Sequence, residues 1–339
     1  MQNELDWKNI GFSYRPLGTR YISIYRDGAW DAGELTKDAN ITISESASVL
    51  QYAQTCFEGL KAYKTHRDEI VVFRPDLNAQ RMAMTCERLM MPAFPVERFV
   101  DAVKEVVCIN AEYVPPYGSG ASLYIRPFQI GIGPVLGVAP ASEYMFRIFV
   151  SPVGPYFKSG IKPIRVRISE YDRAAPKGTG HIKAGLNYAM SLYPGYVAKQ
   201  EGFDENLYLD AATRTKIEET GGANVVFITK DQKLVTPKSD TILPSITRQS
   251  LLHVAKEYLH MECQEREVLI DEVKSFAECG LCGTAAVIAP VGSIHYNGKD
   301  IFIPSGMEQP GPVLSKLYKT LTNIQSGVIQ APNGWLQKI

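Results

Sequence analysis

Six cysteines scattered over 339 residues are too few for the disulfide framework of a secreted domain. Five histidines form neither a His-x-x-x-His nor a His-x-x-Glu-His pattern, which removes the familiar metallohydrolase signatures. Charge of one sign is also missing. Lys+Arg and Asp+Glu both total 36, so no net field draws the chain to nucleic acid or to an anionic membrane. No apolar run approaches a membrane span, because the least charged stretch, 127–142, is broken by glycines and prolines. The opening Met1-Gln-Asn-Glu-Leu-Asp-Trp-Lys8 is polar and of mixed charge, unlike a secretory signal. There is no internal repeat and no low-complexity tract. The expectation is a cytoplasmic globular enzyme that binds no metal.

A hydrophobic content of 45% supports a well-buried core, and the length suggests two domains. The prolines and glycines of 151–163 mark an interdomain linker. This predicts a smaller N-terminal α+β domain at 1–150 and a larger C-terminal domain at 164–339. Strand-like runs precede the linker at 41–44, 70–73, 122–126 and 144–150, with helical spacing at 77–90 and 96–107. After it, strands at 164–168, 206–209, 225–228 and 233–235 alternate with helices near 187–200, 246–260, 270–277 and 312–325. The fold class is α/β (α+β), the second half β-rich with outer helices.

The most informative stretch is Gly178-Thr-Gly-His-Ile-Lys183-Ala-Gly-Leu-Asn187-Tyr188. It sets one lysine among small residues, where desolvation favours the neutral amine and its attack on a carbonyl. Taken alone, it also reads as a solvated loop lysine. Pro244-Ser-Ile-Thr247 begins a helix whose first N–H groups suit a phosphate. Cys282-Gly-Thr-Ala285 is a small-residue turn before an apolar strand. Glu218-Glu219-Thr-Gly-Gly222 places acids beside a buried-looking strand, as a partner for a heterocyclic nitrogen or as surface charge before a turn. Arg81 reads as a phosphate clamp or a helix-surface residue. Cys279-Gly-Leu-Cys282 lacks the second pair a zinc site needs, leaving a structural pair or a thiol switch.

In order along the chain, Gln54-Thr-Cys-Phe57-Glu58-Gly59, Phe73-Arg-Pro-Asp-Leu-Asn-Ala-Gln-Arg81 and Tyr124-Ile-Arg126-Pro127 resemble the signatures of branched-chain aminotransferases. Gly180-His-Ile-Lys183, Glu219 to Asn224, Leu243 to Ser250 and Gly283-Thr284-Ala285 continue the likeness. It runs from about Gly11 to the C-terminal region. That family consists of class-IV, fold-type-IV transaminases that use pyridoxal 5'-phosphate and assemble as dimers or larger. The resemblance implies transfer of the amino group of L-leucine, L-isoleucine or L-valine to 2-oxoglutarate.

The resemblance also implies roles. Lys183 captures the cofactor aldehyde as a Schiff base and moves the proton. Glu219 keeps the ring nitrogen protonated, and Tyr188 bonds the phenolic oxygen. Arg81 and the backbone N–H groups of Ile246 and Thr247 bind the phosphate. Thr284 and Ala285 serve phosphate or substrate carboxylate. Phe57, Tyr52, Tyr124 and Tyr156 line an apolar substrate pocket, with Arg126 and Val138 also substrate-binding. The loop Leu136-Gly137-Val138, together with Tyr52, is expected to reach the site of a neighbouring subunit in a homodimer.

Three departures qualify the likeness. Ala286 and Ala289 stand where mammalian members carry a redox cysteine pair. Gly222 replaces a threonine found in some members. Arg173 matches a family arginine whose role is left open. The competing readings are a D-amino acid transaminase, an aminodeoxychorismate lyase, or a non-catalytic redox-sensing binding protein built on Cys279 and Cys282.

Overall fold

The computed structural model describes residues 6–7, 9–154 and 161–339. The chain divides into two compact units: residues 1–158 with 182–186 and 324–339, and residues 159–181 with 187–323.

The first unit is built on a nine-stranded sheet. Its strands are β1 (Arg20–Arg26), β2 (Ala29–Trp30), β3 (Glu34–Thr36), β4 (Thr55–Phe57), β5 (Leu60–Lys64), β6 (Ile70–Phe73), β7 (Ser122–Gly131) and β8 (Tyr144–Val153). The ninth is β18 (Leu336–Lys338), which returns from the C-terminus to pair antiparallel with β6. The path runs β18-β6-β5-β7-β8-β1-β2.

Two helices cover one face of this sheet. Helix α3 (Val96–Ile109) buries Phe99, Ala102, Val103, Val106 and Val107, the three-and-four spacing of one helix face. Phe94 stacks on Phe146 at 4.0 Å within the same core. Helix α2 (Pro75–Arg88) starts with proline in its first turn, where a missing N–H costs nothing. Unusually, it buries polar Asn78, Arg81 and Thr85. A short helix, α1 (Ser48–Tyr52), precedes β4.

The strand expected at 41–44 does not form, and those residues are irregular. Isoleucines alternate there, but β2 and β3 already occupy the free edge of β1, and most of the segment is exposed.

The second unit carries another nine-stranded sheet. Its strands are β9 (Ile164–Ile168), β10 (Glu205–Leu209), β11 (Ile217–Thr220), β12 (Asn224–Ile228), β13 (Leu234–Pro237), β14 (Cys263–Arg266), β15 (Glu278–Gly283), β16 (Val287–Tyr296) and β17 (Lys299–Phe302). The order is β11-β10-β9-β16-β15-β12-β13-β14, with β17 on β16. Strands β9 and β10, β9 and β16, and β13 and β14 pair in parallel.

The expected helix at 187–200 is two helices, α4 (Gly185–Ala189) and α5 (Leu192–Gln200). Helix α6 (Ile246–His253) continues in wider turns to Tyr258. Residues 270–275 form only a 3₁₀ segment. Helix α7 (Pro312–Gln325) has the bounds the sequence spacing suggests. No described helix is long and apolar enough to cross a membrane.

Candidate active site

Residues 182–186 group with the first unit, and Lys183 is held there from two sides. Its N–H donates to Thr85 Oγ1 at 3.1 Å, and its carbonyl accepts the Phe57 N–H at 3.2 Å. Ala184 forms an antiparallel bridge with Cys56, which extends the grip of β4 on the segment. The backbone of the lysine is thus fixed against a strand and a helix while its side chain stays half-buried. Its Nζ lies 4.8 Å from the Phe57 ring centroid, and the Arg126 guanidinium lies 4.9 Å from the same centroid. Both are cation–π distances.

Arg126 Nη2 donates to Tyr124 Oη at 3.0 Å, so Lys183, Phe57, Arg126 and Tyr124 form one group. Gly59 is required beside it, since a Cβ there would lie 2.1 Å from Tyr124 Oη.

Arg81 projects from α2 into a buried ion pair. Its Nε donates to Glu58 Oε1 at 2.8 Å and its Nη2 to Glu58 Oε2 at 2.7 Å. Asn78 Nδ2 adds a 2.7 Å bond to the same carboxylate. Glu58 is therefore the support of Arg81, a relationship the sequence did not reveal. Its one signal was an acid inside an otherwise apolar Phe57-Glu58-Gly59 run.

Tyr52 and the 136–138 loop form a separate exposed tip, where Tyr52 Oη donates to the Leu136 carbonyl. Leu136 is 93% exposed and Val138 88%. Tyr156 lies outside the described residues.

The second unit holds the other candidates. Glu219 on β11 is buried, with Oε1 accepting the Leu243 N–H at 2.7 Å and lying 2.8 Å from Arg173 Nη2. Its Oε2 accepts from Asn224 Nδ2 at 2.7 Å. Of the two adjacent acids, Glu218 is bound instead to the hydroxyls of Ser239 and Thr241.

Helix α6 opens at Ser245, whose side chain caps the Arg248 N–H at 3.2 Å. The N–H groups of Ile246 and Thr247, one turn earlier than any intrahelical acceptor, stand at the positive end of the helix. Thr284 and Ala285 sit in the three-residue turn between β15 and β16. That turn forces Val287 to φ 63°, a costly region for a β-branched residue and one often kept where function demands it. Tyr188 is half-buried on α4, and Asn187 beside it is fixed by two bonds to Thr179, at 2.7 and 2.8 Å.

Cys279 and Cys282 are buried free thiols within β15. A spacing of three along a strand turns their side chains to opposite faces.

These donors match a phosphorylated pyridine aldehyde by their chemistry. In the second unit, a helix N-terminus suits a phosphate, and a buried carboxylate with its own cation suits a ring N–H. In the first, an amine with a fixed backbone suits an aldehyde.

The model of the amino-transferase class IV family matches residues 55–294. The branched-chain-amino-acid aminotransferase of Haemophilus influenzae is 52% identical over 341 residues, with 99% of each chain covered. The protein of the same name from Helicobacter pylori is 48% identical over 337 residues, covering 99% of this chain and 98% of its own. Among solved structures, the branched-chain amino acid aminotransferase of Thermobaculum terrenum in its PLP-form superposes with a TM-score of 0.78. It is 25% identical and covers 95% of this chain and 98% of that one.

Proposed function

The chain belongs to the branched-chain-amino-acid aminotransferases of the class-IV family, and from that premise we propose the following assignment of its residues to the reaction. The protein is a transaminase that exchanges the amino group of L-leucine, L-isoleucine or L-valine with 2-oxoglutarate, reversibly, and uses pyridoxal 5'-phosphate. Relatedness over the full length carries this reading against the D-amino acid transaminase, the lyase and the redox-sensing alternatives.

Pyridoxal 5'-phosphate, when bound, supplies an aldehyde for amino exchange and a ring that accepts the electron pair left by Cα–H cleavage. The chain's own residues do the rest. Lys183 Nζ would hold the aldehyde carbon and, as a free amine, would move the proton at substrate Cα. Glu219 holds a proton at the ring nitrogen, and Tyr188 donates to the phenolic oxygen. The N–H groups of Ile246 and Thr247, with Arg81, hold the phosphate. The turn at Thr284 and Ala285 receives phosphate or substrate carboxylate. Phe57 and Tyr124 make the apolar wall for the side chain, and Arg126 beside them offers a cation to the second carboxylate of glutamate. Support for these roles is the pinned backbone of Lys183 and the paired, buried carboxylate of Glu219.

The exposed tip of Tyr52, Leu136 and Val138 supports a homodimer in which this tip completes the neighbouring subunit's site. The enzyme works in the cytoplasm.

The test is the near-ultraviolet and visible absorbance of the purified protein before and after L-leucine. A cofactor band that converts on L-leucine, and is missing from Lys183→Ala, is the expected result. Conversion by D-amino acids alone would overturn the substrate, and an unchanged band in Lys183→Ala would overturn the lysine.

A further inference from the structure

Arg173 lies on the loop between β9 and the Lys183 segment and is buried. Its Nη2 is a hub for three acceptors. It lies 2.8 Å from Glu219 Oε1, donates to the Gly180 carbonyl at 2.8 Å, and donates to the Thr241 carbonyl. These acceptors come from β11, from the stretch leading to Lys183, and from the stretch leading to the first turn of α6. Its Nε, also buried, has no hydrogen-bond partner among the described residues. The loop's outer side is fastened by Arg214, which donates to Ser169 O at 2.6 Å and to Asp172 Oδ1 at 2.7 Å.

The sequence makes room for this guanidinium. A Cβ on Gly180 would stand 2.8 Å from Arg173 Nη2 and 2.2 Å from the Thr241 carbonyl oxygen. Glycine in the Gly178-Thr-Gly180 run thus lets the arginine reach the acid.

We propose that Arg173 is a positioning residue: it sets the carboxylate of Glu219 for the ring nitrogen and ties it to Gly180 and to the stretch that precedes α6. This rests on the reading of Glu219 given above. Among the contacts of Glu219, the Leu243 N–H and Asn224 bring neutral donors and Arg173 brings a full positive charge. An arginine gives that contact a fixed planar geometry that a lysine ammonium lacks. Without Arg173, a buried carboxylate and two carbonyls lose a shared donor, and the acid keeps its two neutral donors but loses the cation that balances its charge.

The experiment is a double-variant cycle on Arg173→Met and Glu219→Gln in the full chain. It is read by pyridoxal 5'-phosphate affinity and by the pH titration of the bound cofactor's absorbance. Thermal melts without cofactor check that each variant folds. Arg173→Met is expected to weaken cofactor binding by about tenfold or more and to move the titration in the direction that Glu219→Gln moves it. Adding Arg173→Met to Glu219→Gln is expected to move the titration no further. An equal shift in both backgrounds, a shift the opposite way, or no shift overturns the proposal.

If Arg173→Met does not fold, Arg173→Lys replaces it, with a smaller displacement in the same direction. Full wild-type affinity and titration in Arg173→Lys overturn the proposal. Should Glu219→Gln itself leave affinity and titration untouched, the reading of Glu219 fails, and this one with it. A normal Glu219→Gln effect with an independent Arg173 effect removes only the latter.

Discussion

Arg81 and Glu58 meet in a two-point ion pair, at 2.7 and 2.8 Å, with the carboxylate fully buried and the guanidinium nearly so. Breaking such a pair from one side leaves a stranded charge, at a cost of about 3–5 kcal/mol. Arg81→Met is therefore expected to destabilise the protein even without cofactor, and Arg81→Met with Glu58→Leu to recover much of the loss. Urea melts of the cofactor-free protein give the answer. A single variant as stable as wild type would show that the pair contributes nothing to folding.

The Cys279-Gly-Leu-Cys282 stretch invites a redox reading, and the geometry argues against it. Both thiols are about 1% exposed on opposite faces of β15. Burial pushes the Cys282 thiol up to about 12, and the Cys279 thiol higher still. Thiolate, the reactive form, is scarce at neutral pH. Activity is expected to be the same with and without reductant, in wild type and in Cys279→Ala/Cys282→Ala alike. A mild oxidant that inactivates wild type and spares the double variant would contradict this.

What the sequence made legible follows a physical divide. Helix α3 and helix α7 were readable because their apolar residues recur at three and four over fourteen positions. Buried strands such as β9 and β12 were readable as short β-branched runs. The three-residue strands β4 and β18 were not, because their existence depends on β7 and β6 being already in place. The lysine, the acid and the helix start stood out as local chemistry. Their supports did not. Glu58 lies 23 residues from Arg81, and Arg173 reaches Glu219 only across the folded second unit. Pairings of this range leave no periodicity to read.

Glu278 shows how a buried acid can be wholly structural. Its carboxylate accepts the Val313 N–H at 3.0 Å and the Leu314 N–H at 2.8 Å, capping the start of α7 from a neighbouring strand. Gly311 leaves the space, since a Cβ there would lie 2.1 Å from the Glu278 carboxyl carbon. Charge at a helix N-terminus and two satisfied donors together stabilise by about 2–4 kcal/mol. Glu278→Ala should lower the melting temperature, and Glu278→Gln, which keeps an acceptor, should lower it less. Equal melting of all three proteins would remove the capping role.

Lys61 carries the pH prediction. Burial on β5 lowers its ammonium from the ordinary 10.5 to about 8. Below pH 8 the lysine is charged in both folded and unfolded chains, and the burial penalty is fully present. As pH rises from about 8 to about 10.5, the folded protein has released this proton while the unfolded chain still holds it. Stability therefore rises with pH across that window, by about 3 kcal/mol in total. Lys61→Met removes the titrating group and with it that slope. Across the range from neutral pH to the top of the window, the denaturant midpoint of wild type should gain on that of Lys61→Met. A difference between the two that does not change with pH would mean that Lys61 keeps its ordinary proton affinity in the folded protein.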